Sequence, residues 1–400
     1  MNTKTNANSD AQPGDGQFPL AQHQANYTPL SPLSFLKRSA EVYPEYTAIV
    51  HGERRTNYRE VYSRCRQLAS RLHQLGVEPG DVVSIIAPNI PELFEAHFAV
   101  PMCGGVLNAI NTRLEAKTIA YILEHSQAKI LMVDRDSTAV VKEALSKLSN
   151  PPALIDIHDP AANGDAVSDV EYETFLSQGD ANYDWALPED EWASISLNYT
   201  SGTTGNPKGV VYHHRGAYMN AMSNITGWHM GAHPVYLWTL PMFHCNGWCF
   251  PWSLAANAGV SVCARTISAE VIYESIEQHG VTHFCGAPII LNFIINTDPA
   301  IAKKPAKPIE VMTAAAPPPA SVLQRVEELG FHVTHVYGLT ETYGPAVMCA
   351  WKSEWDKLPA TEQSVLKARQ GAVNQSTRWN RCWSPQKRYS CATRWRDHRR

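Results

Sequence analysis

The chain has 400 residues, of which 44% are hydrophobic and 18% charged, with a formal net charge of −4. These proportions exclude a disordered chain and a global basic field that would recruit nucleic acid or an acidic membrane. The length exceeds one usual core and predicts two or three subdomains, while no apolar run approaches the ~20 residues needed to span a bilayer.

Residues 1–26 are polar, lack an apolar h-region and are expected to form a flexible leader. From Tyr27 onward, strand-like and helix-like segments alternate. "VVSIIA" (Val82–Ala87) reads as a buried strand, and "PELFEAHFAV" as a helix with Pro91 in its first turn. "KILMVD" and "AVVKEALSKL" repeat the pair. Residues 163–191 are acidic and polar and predict a surface connection. Past Tyr199, "VYLWTLP", "VSVCAR", "VTHFCGAP" and "EVMTAAA" read as strands; "SAEVIYESIEQHG" reads as a helix stopped by Gly280. The alternation predicts an α/β fold with mostly parallel sheets covered by helices on both faces. The nine scattered cysteines fit reduced thiols in a cytosol-like compartment. Ser-Lys-Leu, a peroxisomal address, does not close the sequence, and a cytoplasmic location is expected.

The segment "YTSGTTGNPKGV" (Tyr199–Val210) concentrates hydroxyls, glycines and one lysine. Gly202 and Gly205 permit positive φ and close ligand approach. Successive N–H groups in such a loop form an anion-binding concavity. Thr200, Ser201, Thr203 and Thr204 add hydroxyl donors, and Lys208 adds a point charge, so the stretch suits a polyphosphate. The lysine spacing is not that of an ordinary P-loop, which argues against a kinase or NTPase of that kind.

These residues resemble the phosphate-binding signature of the AMP-forming adenylating enzymes, which include acyl-CoA synthetases, 4-coumarate–CoA ligases and luciferases. "GGVLNAINTRL" (Gly104–Leu114), "LPMFHCNGW" (Leu240–Trp248), "TAAAPPP" (Thr313–Pro319) and "VYGLTETYGP" (Val336–Pro345) are similar to further family motifs in the same order. The wording is most similar to short- and medium-chain fatty acyl-CoA ligases. The resemblance implies a large N-terminal domain of two mostly parallel sheets, with a first subdomain at 27–197 and an ATP-binding second one at 198–371. It implies ATP, Mg²⁺ and coenzyme A as cofactor and co-substrates, and a small carboxylic acid as substrate.

Residue by residue, the resemblance implies that Lys208 and the hydroxyl loop hold the β- and γ-phosphates, that Thr340 contacts phosphate, and that Glu341 helps hold Mg²⁺. Ala315, Ala316, Pro317, Tyr337 and Gly338 would line the nucleotide, with Tyr337 stacking on adenine; the lesser alternative for Tyr337, read alone, is a core aromatic. Ala314 stands where glycine is common in the family. His244, Trp248 and Gly286 would line the acyl pocket, and core packing is an equal reading of the Gly286 segment. Cys245 and Cys249 beside His244 leave a zinc reading open, without a second ligand pair at finger spacing. His213 and His214 are expected on the helix after the loop.

After Gly371 the composition breaks. Residues 372–400 hold seven arginines, three tryptophans and no glycine. The family's Thr-Gly-Asp segment and its lysine-bearing C-terminal domain have no match here. The tail is expected to be unstructured out-of-frame coding, with the C-terminal domain missing; a basic, Trp-rich nucleic-acid segment is the alternative that the acidic body argues against. The expected function is therefore ATP-dependent conversion of a short- or medium-chain acid to acyl-AMP and acyl-CoA, impaired by truncation. The alternative is an inactive nucleotide- or acyl-binding fragment.

Overall fold

The computed structural model describes residues 23, 25–200, 205–316 and 318–373. The expected leader and basic tail fall almost wholly outside these residues. Fifteen strands are described, in two sheets. They are β1 (Thr47–His51), β2 (Arg54–Asn57), β3 (Val82–Ile86), β4 (Val106–Ile110), β5 (Ile130–Asp134), β6 (Ala153–Ile157), β7 (Ser194–Thr200) and β8 (Lys208–His213). The remainder are β9 (Val235–Leu237), β10 (Val260–Cys263), β11 (His283–Gly286), β12 (Ile309–Thr313), β13 (Phe331–Leu339), β14 (Gly344–Met348) and β15 (Ala372–Val373).

The first sheet runs β6-β5-β3-β4-β7-β8 and is parallel except for the β7–β8 hairpin. The second runs β15-β14-β13-β12-β11-β9-β10-β1-β2, with a parallel centre and antiparallel pairs at its ends. Helices flank both, as the strand–helix alternation implies. β3, β4 and β5 are buried along their whole lengths, as expected of apolar runs covered on two faces. The sheets do not follow the chain order strictly. β1 and β2, from the first expected subdomain, pair into the second sheet through β10, while β8, from the second, closes the first. Residues that register β1 on β10 (Ile49 on Ser261, Val50 on Val262) lie some two hundred positions apart, a pairing no local pattern encodes.

Local chemistry sets the helix ends. The helix Tyr58–Gln74 starts with a capping box in which Asn57 accepts from the Glu60 N–H and Glu60 accepts from the Asn57 N–H. The helix Ala269–His279 is capped by Ser268 and ended by Gly280 at φ +66°. The helix Pro91–Met102 is buried on every side, charged residues included. Its Glu95 has no exposure and is matched by two bonds from Arg64 and by the Tyr172 hydroxyl at 2.7 Å. Burial and the neighbouring Glu95 raise the Glu92 carboxyl to about 7, against the pull of Arg54. Tyr172 lies in the segment expected to be only a surface connection. That segment instead carries the helix Tyr172–Ser177, whose Tyr172, Phe175 and Leu176 enter the core.

Candidate functional site

A cavity of about 920 Å³ opens where the two sheets present the C-terminal ends of their parallel strands. Loops at such ends are free to carry chemistry because the sheet fixes their roots while their own conformation stays variable. Pro88 and Asn89 follow β3, and Asn111–Arg113 follow β4. His244 follows β9, Arg265 follows β10, Ala315 follows β12, and Thr340 follows β13; all line the cavity.

The "YTSGTTGNPKGV" segment is the β7–β8 hairpin, with Thr200 opposite Lys208 and Tyr199 opposite Gly209. Thr200 is half-buried, while Gly205 at φ +139° and Lys208 are exposed. Ser201, Gly202, Thr203 and Thr204 lie outside the described residues, as does Pro317. Among the described residues Lys208 makes no ion pair. It is not part of the cavity wall; it stands at the root of the hairpin, on the edge strand of the first sheet.

Six of the expected positions come together in the wall: His244, Trp248, Gly286, Ala315, Gly338 and Thr340. His244 and Trp248 are brought there by a left-handed turn. Cys245, Asn246, Gly247, Trp248 and Cys249 all have φ between +42° and +65°. Such a run costs free energy at each non-glycine residue and persists only where packing imposes it. Here the Trp248 carbonyl accepts from Asn224 at 2.8 Å, and a Cβ at Gly247 would lie 2.8 Å from the Trp238 ring. The His244 ring is open to the cavity yet surrounded by protein atoms, and this desolvation lowers its pKa, keeping it neutral near pH 7. Of the cysteine sulfurs beside it, Cys245 Sγ reaches the His244 Nε2 at 3.8 Å but lies closer to another partner. Cys245 Sγ lies 3.3 Å from Thr340 Oγ1, and the Cys249 thiol donates to the Tyr343 carbonyl at 3.4 Å. Gly286 serves both of its expected readings: it lines the cavity, and a Cβ there would meet Ile290 at 2.5 Å.

Tyr337 is 41% exposed, which removes the core-aromatic reading; Tyr343, six residues on, is the buried ring of this motif at 3%. Thr340–Thr342 form one turn of 3-10 helix. Glu341 is half-buried and makes no ion pair or hydrogen bond among the described residues, so its carboxylate is free to meet a cation. No described group of three His, Cys, Asp or Glu could hold a metal by itself. A hard cation at Glu341 would therefore take most of its oxygens from a phosphate ligand, which is how Mg²⁺ is commonly held.

The glycine question at "TAAAPPP" resolves one residue later than expected. Ala315, not Ala314, has φ +77°. A non-glycine residue in that region carries strain that glycine does not. Ala315→Gly is expected to stabilise the protein by about 0.5–1 kcal/mol, after the extra unfolded-state freedom of glycine is subtracted. A rise in the urea midpoint at constant slope checks it.

The sequence did not point to Arg113, Arg265 or Tyr212. Arg113 sits in a motif recognised without a role, and its position at a parallel strand's C-terminal end was the available signal. Tyr212 lies inside an apolar strand and carried none.

The chain matches the AMP-binding enzyme family over residues 36–377. It is 52% identical over 367 residues to the acetate/butyrate–CoA ligase AAE7, peroxisomal, of Arabidopsis thaliana, covering 88% of this chain and 64% of that protein. It is 49% identical to the acetate–CoA ligase CCL3 of Humulus lupulus, with the same coverage. The chain thus spans about 64% of the length of these curated relatives. Among solved structures, the N-terminal domain of FACL13 from Mycobacterium tuberculosis shares the fold. The TM-score is 0.75 at 24% identity, over 86% of this chain and 82% of that one. With the match spanning both sheets and every cavity-lining loop, the chain belongs to the AMP-binding enzyme family.

Proposed function

We propose that this chain binds ATP and a small carboxylic acid and belongs to the ATP-dependent acid–thiol ligases that form acyl-AMP and then acyl-CoA. The observation that carries the reading is the convergence of His244, Trp248, Gly286, Ala315 and Thr340 on one cavity from separate strand ends. The names of the relatives, acetate/butyrate–CoA and acetate–CoA ligases, support a short acyl chain. The relatives called peroxisomal weigh against a plain cytoplasmic location. No helix among the described residues is long and apolar enough to cross a membrane.

In the reaction, a carboxylate oxygen attacks the α-phosphorus of ATP, the bond to the β-phosphate oxygen breaks, and pyrophosphate leaves. The thiol of coenzyme A then attacks the acyl carbon, giving up its proton as AMP departs. The first step brings anion to anion, so alignment and charge neutralisation dominate. Lys208 and the hairpin hydroxyls would draw the phosphates away from the acid. Neutral His244 can offer an N–H to the acid's oxygen without forming an ion pair that fixes it in the ground state. Trp248 and Gly286 would bound the acyl chain. Mg²⁺, held through Glu341, would supply charge neutralisation on the phosphates. Tyr337, exposed on β13, would offer its ring to adenine.

The test is ATP titration with pyrophosphate exchange in the presence of butyrate. Lys208→Ala is expected to weaken ATP binding by about 10–100-fold, the worth of one charge-assisted contact. Undiminished affinity in that variant would remove the basis of the reading. Binding without exchange would assign the chain a binding role without turnover.

A further inference from the structure

Thr340 is held from two sides by residues outside its own motif. The Tyr212 hydroxyl donates to the Thr340 main-chain carbonyl at 2.6 Å. The Cys245 thiol and the Thr340 hydroxyl share a hydrogen bond at 3.3 Å. Tyr212 belongs to β8 of the first sheet, the strand that begins at Lys208; Thr340 follows β13 of the second. One strand thus carries the hairpin lysine at its start and touches the Thr340 turn four residues later.

The tyrosine itself has no freedom. It is fully buried and stacked on Tyr343, with ring centroids 4.0 Å apart and planes 17° from parallel. Tyr343 is pinned in turn. Its hydroxyl accepts the His213 N–H at 2.9 Å, and its carbonyl accepts from Asn220 Nδ2 at 2.9 Å and from the Cys249 thiol. A Cβ at Gly216 would lie 2.5 Å from the Tyr343 ring, so glycine there lets the helix His214–Gly227 close on it. Cys245 is equally fixed, as the first residue of the left-handed turn that aims His244 and Trp248. Two rigid groups that converge on both polar ends of one threonine leave its turn a single orientation.

We propose that Tyr212 and Cys245 are positioning residues for Thr340. They set the orientation of the Thr340–Glu341 turn relative to Lys208 before any ligand arrives. The functional consequence rests on the reading of Thr340 as a phosphate contact. The geometry gives the two residues a role that packing alone does not require, because phenylalanine and alanine would preserve the stack and the turn.

The experiment uses the full 400-residue chain with Tyr212→Phe, Cys245→Ala and Cys245→Ser. Hydrogen exchange of the Thr340–Tyr343 amides is measured without nucleotide, and ATP affinity and thermal midpoint alongside. Tyr212→Phe is expected to speed exchange in that turn about tenfold and to weaken ATP binding about five- to tenfold, with the stack and global fold retained. Cys245→Ala is expected to weaken ATP binding about fivefold, and Cys245→Ser, which restores a hydrogen-bonding group, to recover most of it. Exchange in Tyr212→Phe within about twofold of the parent would overturn the proposal, as would a Cys245→Ser variant as weak as Cys245→Ala. If the parent chain binds no ATP, the phosphate-contact reading fails, while the exchange rates still decide whether the two side chains hold the turn.

Discussion

Replacing Gly338 by alanine is expected to cost at least about 3 kcal/mol of stability and to abolish nucleotide binding. A Cβ at this position would lie 1.9 Å from the Gly344 carbonyl oxygen and 2.5 Å from its carbon. Both are main-chain atoms, so no rotamer change relieves the overlap. The β13–β14 pair must open, and it already carries a register shift between Tyr337 and Gly338. β14 has nowhere to retreat. Gly344 sits at φ +105°, and a Cβ on it would approach Trp248 at 3.0 Å, so the strand is confined between β13 and the left-handed turn. Opening the pair shifts Tyr337 on one side and Thr340 on the other, two positions of the motif that we propose face the nucleotide. The glycine therefore has a reason in chain packing, independent of any ligand. Urea denaturation and ATP titration of Gly338→Ala check this. A midpoint within experimental error of the parent would show that the hairpin has slack.

Much of the architecture was legible because it rests on local patterns. β3 and β5 are continuous apolar runs, the helix at Pro91 announces its own first turn, and Gly280 ends its helix at φ +66°. The motifs after β4, β9, β12 and β13 gave the cavity wall, since each lies at the C-terminal end of a parallel strand, whereas the hairpin motif stands outside it. What stayed hidden depends on distant pairings. Nothing near β1 tells that Ile49 registers on Ser261. Tyr172 reads as a polar-loop aromatic until Glu95 is seen beneath it. Ala314 drew attention as a missing glycine, whereas the positive φ falls on Ala315, because composition marks a motif but not which of its residues turns the chain. The contacts of Tyr212 and Cys245 with Thr340 were hidden for the same reason, since about one hundred residues separate the partners; Cys245 drew only a zinc reading.

Arg265→Ala is expected to lower stability at pH 7 by about 3–5 kcal/mol, the cost of leaving buried carboxylates without their cation. Arg265 follows β10 of the second sheet and grips Asp134, at the end of β5 in the first, with two bonds of 2.7 and 2.9 Å. It also reaches Asp159 at 3.0 Å and Asp136. Asp159 in turn meets His51 of β1 at 2.6 Å. The cluster ties the two sheets together at the cavity wall, and it commits this arginine to the fold rather than to an anionic ligand. Asp134 is wholly buried, so the guanidinium is its counter-charge. Desolvation alone would raise the Asp136 and Asp159 carboxyls. The Asn163 and Ala161 N–H groups, with Arg265 and His51, outweigh it and hold both below the usual 3.8. In the parent, this contribution is present above pH 3.8 and is lost as the pH falls through the lower folded values. In the variant the Asn163 and Ala161 N–H groups and His51 remain while the cation is gone, so Asp136 and Asp159 are held less far below 3.8 and the deficit relative to the parent should shrink as the pH is lowered from 7 to about 3. Adding Asp134→Asn to Arg265→Ala removes the buried charge and should recover part of the loss at pH 7. Urea midpoints at the two pH values, for the parent and both variants, measure it. A loss below about 1 kcal/mol that does not change with pH would mean that the cluster is an exposed ion pair in effect, and that the two sheets are held by apolar packing alone.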